Sequence, residues 1–128
     1  MEQKDFLVRQ AEIFGQVLGK LLSQLLGLSS SKEIVETGNQ ALMDNLGLNI
    51  SGLISLDNED LINLLVNEKH FSYSNIEQLA DILFVLADNS GDPEQTALRA
   101  KCLFLYQFIE KEDNTYSFNR EWKTESLM

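Results

Sequence analysis

Nucleophilic chemistry in this sequence would have to be built around one histidine, His70, and one cysteine, Cys102. A hydrolytic triad needs a hydroxyl within hydrogen-bond reach of the imidazole. Ser72 and Ser74 are near in sequence, but neither stands in the glycine-flanked elbow that exposes a nucleophilic serine. His70 reads instead as a solvent-facing or locally hydrogen-bonded side chain between helices. Cys102 lies in the apolar run Cys102-Leu103-Phe104-Leu105-Tyr106. Free cysteine is among the most buried residue types, so it reads as core. A lone cysteine closes no internal disulfide and builds no cysteine-cluster metal site. The stretch Asp88-Asn89-Ser90-Gly91-Asp92 opens like a calcium loop, but its sixth position is Pro93 and its twelfth Arg99, where glycine and glutamate are needed. No glycine-rich phosphate loop occurs. The expectation is no catalytic residue, no cofactor and no metal.

The carboxylates give a second kind of candidate. Asp57, Glu59 and Asp60 cluster, as two carboxylates must for glycoside hydrolysis, but nothing in the sequence selects a pair. Helix starts account for them more simply. Negative charge is stabilised in the first turn by the helix dipole, and the same reading covers Glu33, Glu77, Asp92 and Glu94. The formal charge is −10. Without a basic face to neutralise phosphates, nucleic acid and acidic membrane surfaces are excluded as partners. The charge is uneven: residues 1–26 carry three acids and three Lys/Arg, residues 27–72 seven against two, and residues 73–112 seven against three. An acidic surface is expected from the middle of the chain. The candidate partner-binding residues are aromatic and late: Tyr106, Tyr116, Phe118 and Trp122 can line a groove or anchor a partner. Their alternative use is to pack a terminal helix.

The elements that must position these residues read as helices throughout. One proline and seven glycines leave room for long helices and disfavour a many-stranded sandwich. The spacing predicts a single domain, residues 1–128, of five to six antiparallel helices over about 5–26, 30–46, 57–68, 74–89, 92–112 and 117–125. The first has an apolar arc about 180° wide, more than the ~100° stripe of a simple surface helix. It reads as a central element, or as one offering surplus area to a partner. Gly15 and Gly19 on the edge of that arc read either as a close approach by another helix backbone or as tolerated surface positions. Ser30 with Glu33 and Ser74 with Glu77 fit capping boxes. Asp57 and Asp92 fit N-caps, with Leu56 stapling to Leu61 and Pro93 at the first helical position. Residues 47–56 read as a packed loop with a short turn, and 112–114 as a tight turn. The helix over 92–112 is apolar nearly all round from Leu103 to Ile109 and is expected to be the most buried. Phe118 and Trp122, four residues apart, are expected on the inner face of the last helix.

Two helices joined by Ser90-Gly91-Asp92-Pro93, followed by a third after a short turn, make the second half resemble the tetratricopeptide type, without a clean 34-residue period. The opening helix, Asp5-Phe-Leu-Val-Arg-Gln through Leu22, and the stretches Leu105-Tyr106-Gln-Phe-Ile-Glu and Tyr116-Ser-Phe-Asn-Arg-Glu121 resemble an uncharacterised family of small all-helical bacterial proteins. That resemblance implies a fold and supplies no activity.

The functional expectation is a non-catalytic protein–protein interaction or scaffold module in a reducing cytoplasm, with a protein or peptide partner and a possible homo-oligomer through the first helix. The alternatives are a small acidic chaperone or adaptor, an enzyme with an atypical carboxylate site, and a carrier holding an apolar ligand under the first helix.

Overall fold

The computed structural model describes residues 2–113 and 116–128, with side chains from residue 5 onward. The helices are α1 (Glu2–Leu26), α2 (Ser31–Leu46), α3 (Ile50–Ser55), α4 (Asn58–Ile62), α5 (Tyr73–Asp88), α6 (Glu94–Asp113) and α7 (Phe118–Leu127), and α4 runs on into a π-helical turn over Asn63–Glu68. There is no strand among the described residues, and the chain is all-α. None of these helices is long and apolar enough to cross a membrane. The turn expected at 112–114 falls partly on Asn114, outside the described residues, and α6 itself continues through Asp113.

Local chemistry sets most helix ends. Ser30 Oγ accepts from Glu33 N (3.4 Å) and Asp57 Oδ1 from Asp60 N (2.7 Å), each satisfying an N–H that the helix cannot. Gly47 closes α2 in the left-handed region (φ 65°), and the following N–H of Leu48 reaches back to Leu42 O (3.1 Å). His70 takes the same conformation (φ 59°) after the π-helical turn, where Phe71 N donates to Leu65 O (2.9 Å).

Three expected boundaries shift. The capping box of α5 is Ser72 with Asn75, not Ser74 with Glu77: Asn75 N donates to Ser72 Oγ (3.1 Å) and Ser72 N to Asn75 Oδ1 (3.0 Å). Asparagine supplies the same reciprocal acceptor as glutamate, and Glu77 is engaged elsewhere. α6 begins at Glu94, so Pro93 precedes the first helical residue, while Asp92 Oδ1 still accepts from Thr96 N (3.1 Å). Within the expected loop 47–56, Asn49 caps Gly52 N (3.3 Å) and starts the short α3, which buries Leu53.

The central element is α5, not the helix over 92–112. Ile76, Leu79, Ala80, Ile82, Leu83, Leu86 and Ala87 of α5 are all essentially inaccessible. α1 lies parallel to α5 on one side: Asn75 Nδ2 donates to Ala11 O and Gln78 Nε2 to Gly15 O, both at 3.0 Å. α6 lies antiparallel on the other, with Gln95 Nε2 on Ala87 O (2.9 Å) and the Tyr73 and Phe108 rings 6.2 Å apart. Being covered from two sides buries both faces of α5. α6 packs mainly on α5, with lighter contact to α7 and α3, and Leu103, Phe104 and Phe108 are only partly buried.

Of the two readings of Gly15 and Gly19, the close approach of a helix backbone is not the one the structure has. At Gly15 and Gly19 the near neighbour is the side-chain amide of Gln78, at 3.6 and 3.7 Å from a built Cβ, not a helix backbone. The close approach is at Gly38, where a Cβ would sit 2.6 Å from Leu86 Cδ2 and 3.5 Å from Leu25 Cδ1. There α1, α2 and α5 meet.

Candidate interaction surfaces

Two surfaces stand out, one at each end of the chain. The first follows from the stagger between α1 and α5. Ala11 O is hydrogen-bonded to Asn75, the third residue of α5, so in this parallel pair the turns of α1 before about residue 9 run past the α5 N-terminus. Leu18, Leu21 and Leu25 are buried, and Phe14 stacks on Phe71 with centroids 5.0 Å apart. Phe6, Val8 and Ile13 remain 63%, 51% and 57% exposed. α1 is therefore a flank of the bundle and not its centre. The wide apolar arc read from the sequence is only partly covered. The space beneath α1 is filled by core side chains, and the concavity of about 690 Å³ between α1 and α2 is lined mainly by polar groups, among them Gln24, Glu36, Gln40 and Asp44.

The second surface is the α7 clasp. Sequence reasoning placed Tyr106, Tyr116, Phe118 and Trp122 here as partner-binding residues, and the structure separates them. Tyr106 is fully buried, so in the folded chain it touches no partner. Its hydroxyl donates to Asp81 Oδ1 (2.6 Å), and burial, reinforced by the charge of Asp81, raises its pKa. Trp122 is half-exposed and meets Phe84 edge-on at 5.8 Å. Tyr116 and Phe118 are largely exposed, and Tyr116 OH donates to Glu121 Oε2 (2.5 Å), which raises the phenol pKa. Phe118 thus does not dock with Trp122 on an inner face.

That inner face is made instead of charge, which sequence reasoning missed. Arg120 is 2% exposed, donates Nε–H to Glu110 Oε1 (2.6 Å) and donates from Nη1 to Glu77 Oε1. Burial opposes the guanidinium charge, but the two carboxylates outweigh it and its pKa is raised. One helical turn on, Lys123 Nζ donates to Asp81 Oδ1 (3.1 Å) and stands 5.6 Å from the centre of the Phe84 ring. The available signal was the spacing: Arg120 and Lys123 share a face, as do Glu77 and Asp81 on α5.

Cys102 sits beneath this network. Its thiol donates to Ala80 O (3.2 Å), and burial pushes its pKa up to about 12. A thiol so held is not a nucleophile at neutral pH. Glu77, Asp81 and Glu110 are the carboxylates that the fold gathers, and each is held by a cationic side chain. No family model, no curated protein and no solved structure matches this chain. Among the described residues no three His, Cys, Asp or Glu side chains are grouped to hold a metal ion. His70, at the αL position, is exposed.

Proposed function

We propose that this chain is a protein–protein interaction module that presents the exposed Phe6–Ile13 flank of α1 to a protein partner. The observation that carries the reading is the exposure of Phe6 and Ile13, which share one flank of a helix whose Leu18, Leu21 and Leu25 are buried, while exposed Val8 and Leu26 lie on the other flank. Apolar side chains grouped on one element and left uncovered mark interaction surfaces more often than scattered ones do. The antiparallel pair α5–α6 supports the helical-scaffold reading by analogy with tetratricopeptide units, which present helical faces to peptides. In this reading the α7 clasp stabilises the scaffold, and exposed Tyr116 and Phe118 add a smaller aromatic rim at its far end.

The test is affinity purification of the tagged chain from its native cell beside a Phe6→Asp/Ile13→Asp variant, read by quantitative mass spectrometry. Both positions are exposed, so the variant is expected to keep its far-UV circular dichroism while losing a partner that the parent captures at fixed stoichiometry. Capture of the same proteins by both forms, or of none by either, overturns the reading.

A further inference from the structure

We propose that the groove between α5 and α6, which α7 fills, is a docking site for a basic amphipathic helix of a protein partner, with α7 as its built-in occupant. This goes beyond the α1 reading and shares no residue with it.

The groove is marked out by what fills it. α7 runs parallel to α5 and antiparallel to α6. Arg120 meets Glu77 and Glu110, Lys123 meets Asp81 one turn on, and Trp122 lies edge-on to Phe84. Arg99 Nη2 donates to Ser126 O (3.0 Å) at the end of α7. The two ends of the groove therefore differ. Carboxylates at one end take cationic side chains, and a guanidinium at the other takes a carbonyl that a helix C-terminus leaves unpaired. A helix carrying an arginine, a lysine three residues on and an aromatic between them meets all of these groups in one orientation.

α7 is lightly held for a helix of the bundle. The fully buried apolar core comes from other elements, and Leu127 is the one α7 side chain packed against it. Arg120 is the only buried residue of α7, and Phe118 and Trp122 stay 73% and 45% exposed. What α7 gives up on leaving is mainly charge pairs, which an incoming helix replaces in kind.

Charge selects the occupant. α5 carries Glu77, Asp81 and Asp88 and no Lys or Arg, and α6 adds Glu110 to the groove. α7 brings two cations, but it also brings Glu121 and Glu125. These line one concavity of about 210 Å³ with Glu110, so like charges surround the same space. A partner helix with the same two cations and no acids there avoids that repulsion, and the chain's charge of −10 draws it in. The α7 of a second copy carries the same two acids and gains neither advantage.

Fluorescence anisotropy tests this with a labelled peptide of residues 116–128 carrying Glu121→Gln and Glu125→Gln, titrated with the full chain to about 1 mM. The hosts are the parent and two variants that loosen α7, Arg120→Met and Lys123→Met, each checked by far-UV circular dichroism for retention of the other helices. A site closed by its own occupant binds in proportion to the fraction of chains in which it is open. The peptide is therefore expected to bind both loosened hosts at least about tenfold more tightly than the parent. Restoring Glu121 and Glu125 should weaken it, and Arg120→Gln/Lys123→Gln in the peptide should abolish binding. Equal affinity for all three hosts, binding to none, or binding that survives loss of the two cations overturns the proposal. So does a loosened host that dimerises in sedimentation velocity and ignores the peptide, which assigns the groove to a second copy's α7. None of these outcomes touches the α1 reading, which stands or falls on the capture experiment.

Discussion

Arg120 is the only residue of α7 that is fully buried, and removing its charge is expected to release that helix from the bundle. Deleting one partner of a buried ion pair costs about 3–5 kcal/mol when the remaining charge is stranded away from water. The groups stranded here are Glu77 and Glu110, whose side chains are 28% and 44% exposed and rehydrate once the guanidinium is gone. Exposed pairs contribute only about 0–1 kcal/mol. Arg120→Met keeps most of the side-chain volume, so its cost falls between these limits, at about 2–3 kcal/mol. The chain supplies its own reporter. Trp122 is the single tryptophan, held edge-on to Phe84 only while α7 is docked. Arg120→Met is expected to red-shift its emission and to separate a fluorescence transition at low urea from the later loss of far-UV circular dichroism, because the core beneath is built from α1, α2, α5 and α6. Adding Glu77→Gln and Glu110→Gln to Arg120→Met should recover part of the loss by removing the stranded charges. An Arg120→Met variant with parental emission and parental urea midpoint would refute the reasoning, since α7 would then be held by the Trp122 rim alone.

Three further outcomes are expected. Gly38→Ala drives a Cβ to 2.6 Å from buried Leu86, where overpacking of about 1–3 kcal/mol exceeds the helix gain of up to ~1 kcal/mol. It should lower stability by about 1 kcal/mol, whereas Gly19→Ala, which meets only the Gln78 amide at 3.7 Å, should raise it by up to ~1 kcal/mol in urea titrations. Asn75→Ala removes a reciprocal cap and a buried bond to Ala11 O together, and thermal melts should show a loss of about 2–3 kcal/mol. Burial holds the Cys102 thiol at about 12, against 9.0 for an open thiol. Above the lower value the unfolded chain releases this proton and the folded chain keeps it. Stability from this group is therefore intact below about pH 9 and falls by up to ~1.4 kcal/mol per pH unit as pH rises toward 12. Cys102→Ala should flatten that part of the alkaline slope in urea melts run across this range.

The helices themselves were legible because their signals are local. The apolar spacing of residues 5–26, the caps at Ser30 and Asp57 and the glycine after Leu46 act within a turn or two of chain, so the residues that decide them are adjacent in sequence. Even the misplaced cap of α5 was wrong by two residues only, because Ser72-x-x-Asn75 and Ser74-x-x-Glu77 offer the backbone the same reciprocal bonds. The choice between them is made at long range: Asn75 also reaches Ala11 O, and Glu77 is taken by Arg120 from the far end of the chain.

What the tertiary structure alone decided is which apolar and which charged faces find a neighbour. Composition made the segment around Leu103–Ile109 look more deeply buried than Tyr73–Asp88, yet burial depends on how many sides of a helix are covered, and α5 has α1 on one side and α6 on the other. The same applies to the candidate residues. Tyr106 and Phe118 are both aromatic residues near the end of the chain, but one is wholly enclosed and the other open to water. In sequence, the wide arc of α1 fitted either a central helix or a surplus face. Phe6 is left uncovered where α1 runs past the start of α5, and Ile13, between Ala11 and Gly15, because it lies on the flank of α1 that α5 does not cover; both the offset and the docked face are set by tertiary contacts that no local pattern encodes.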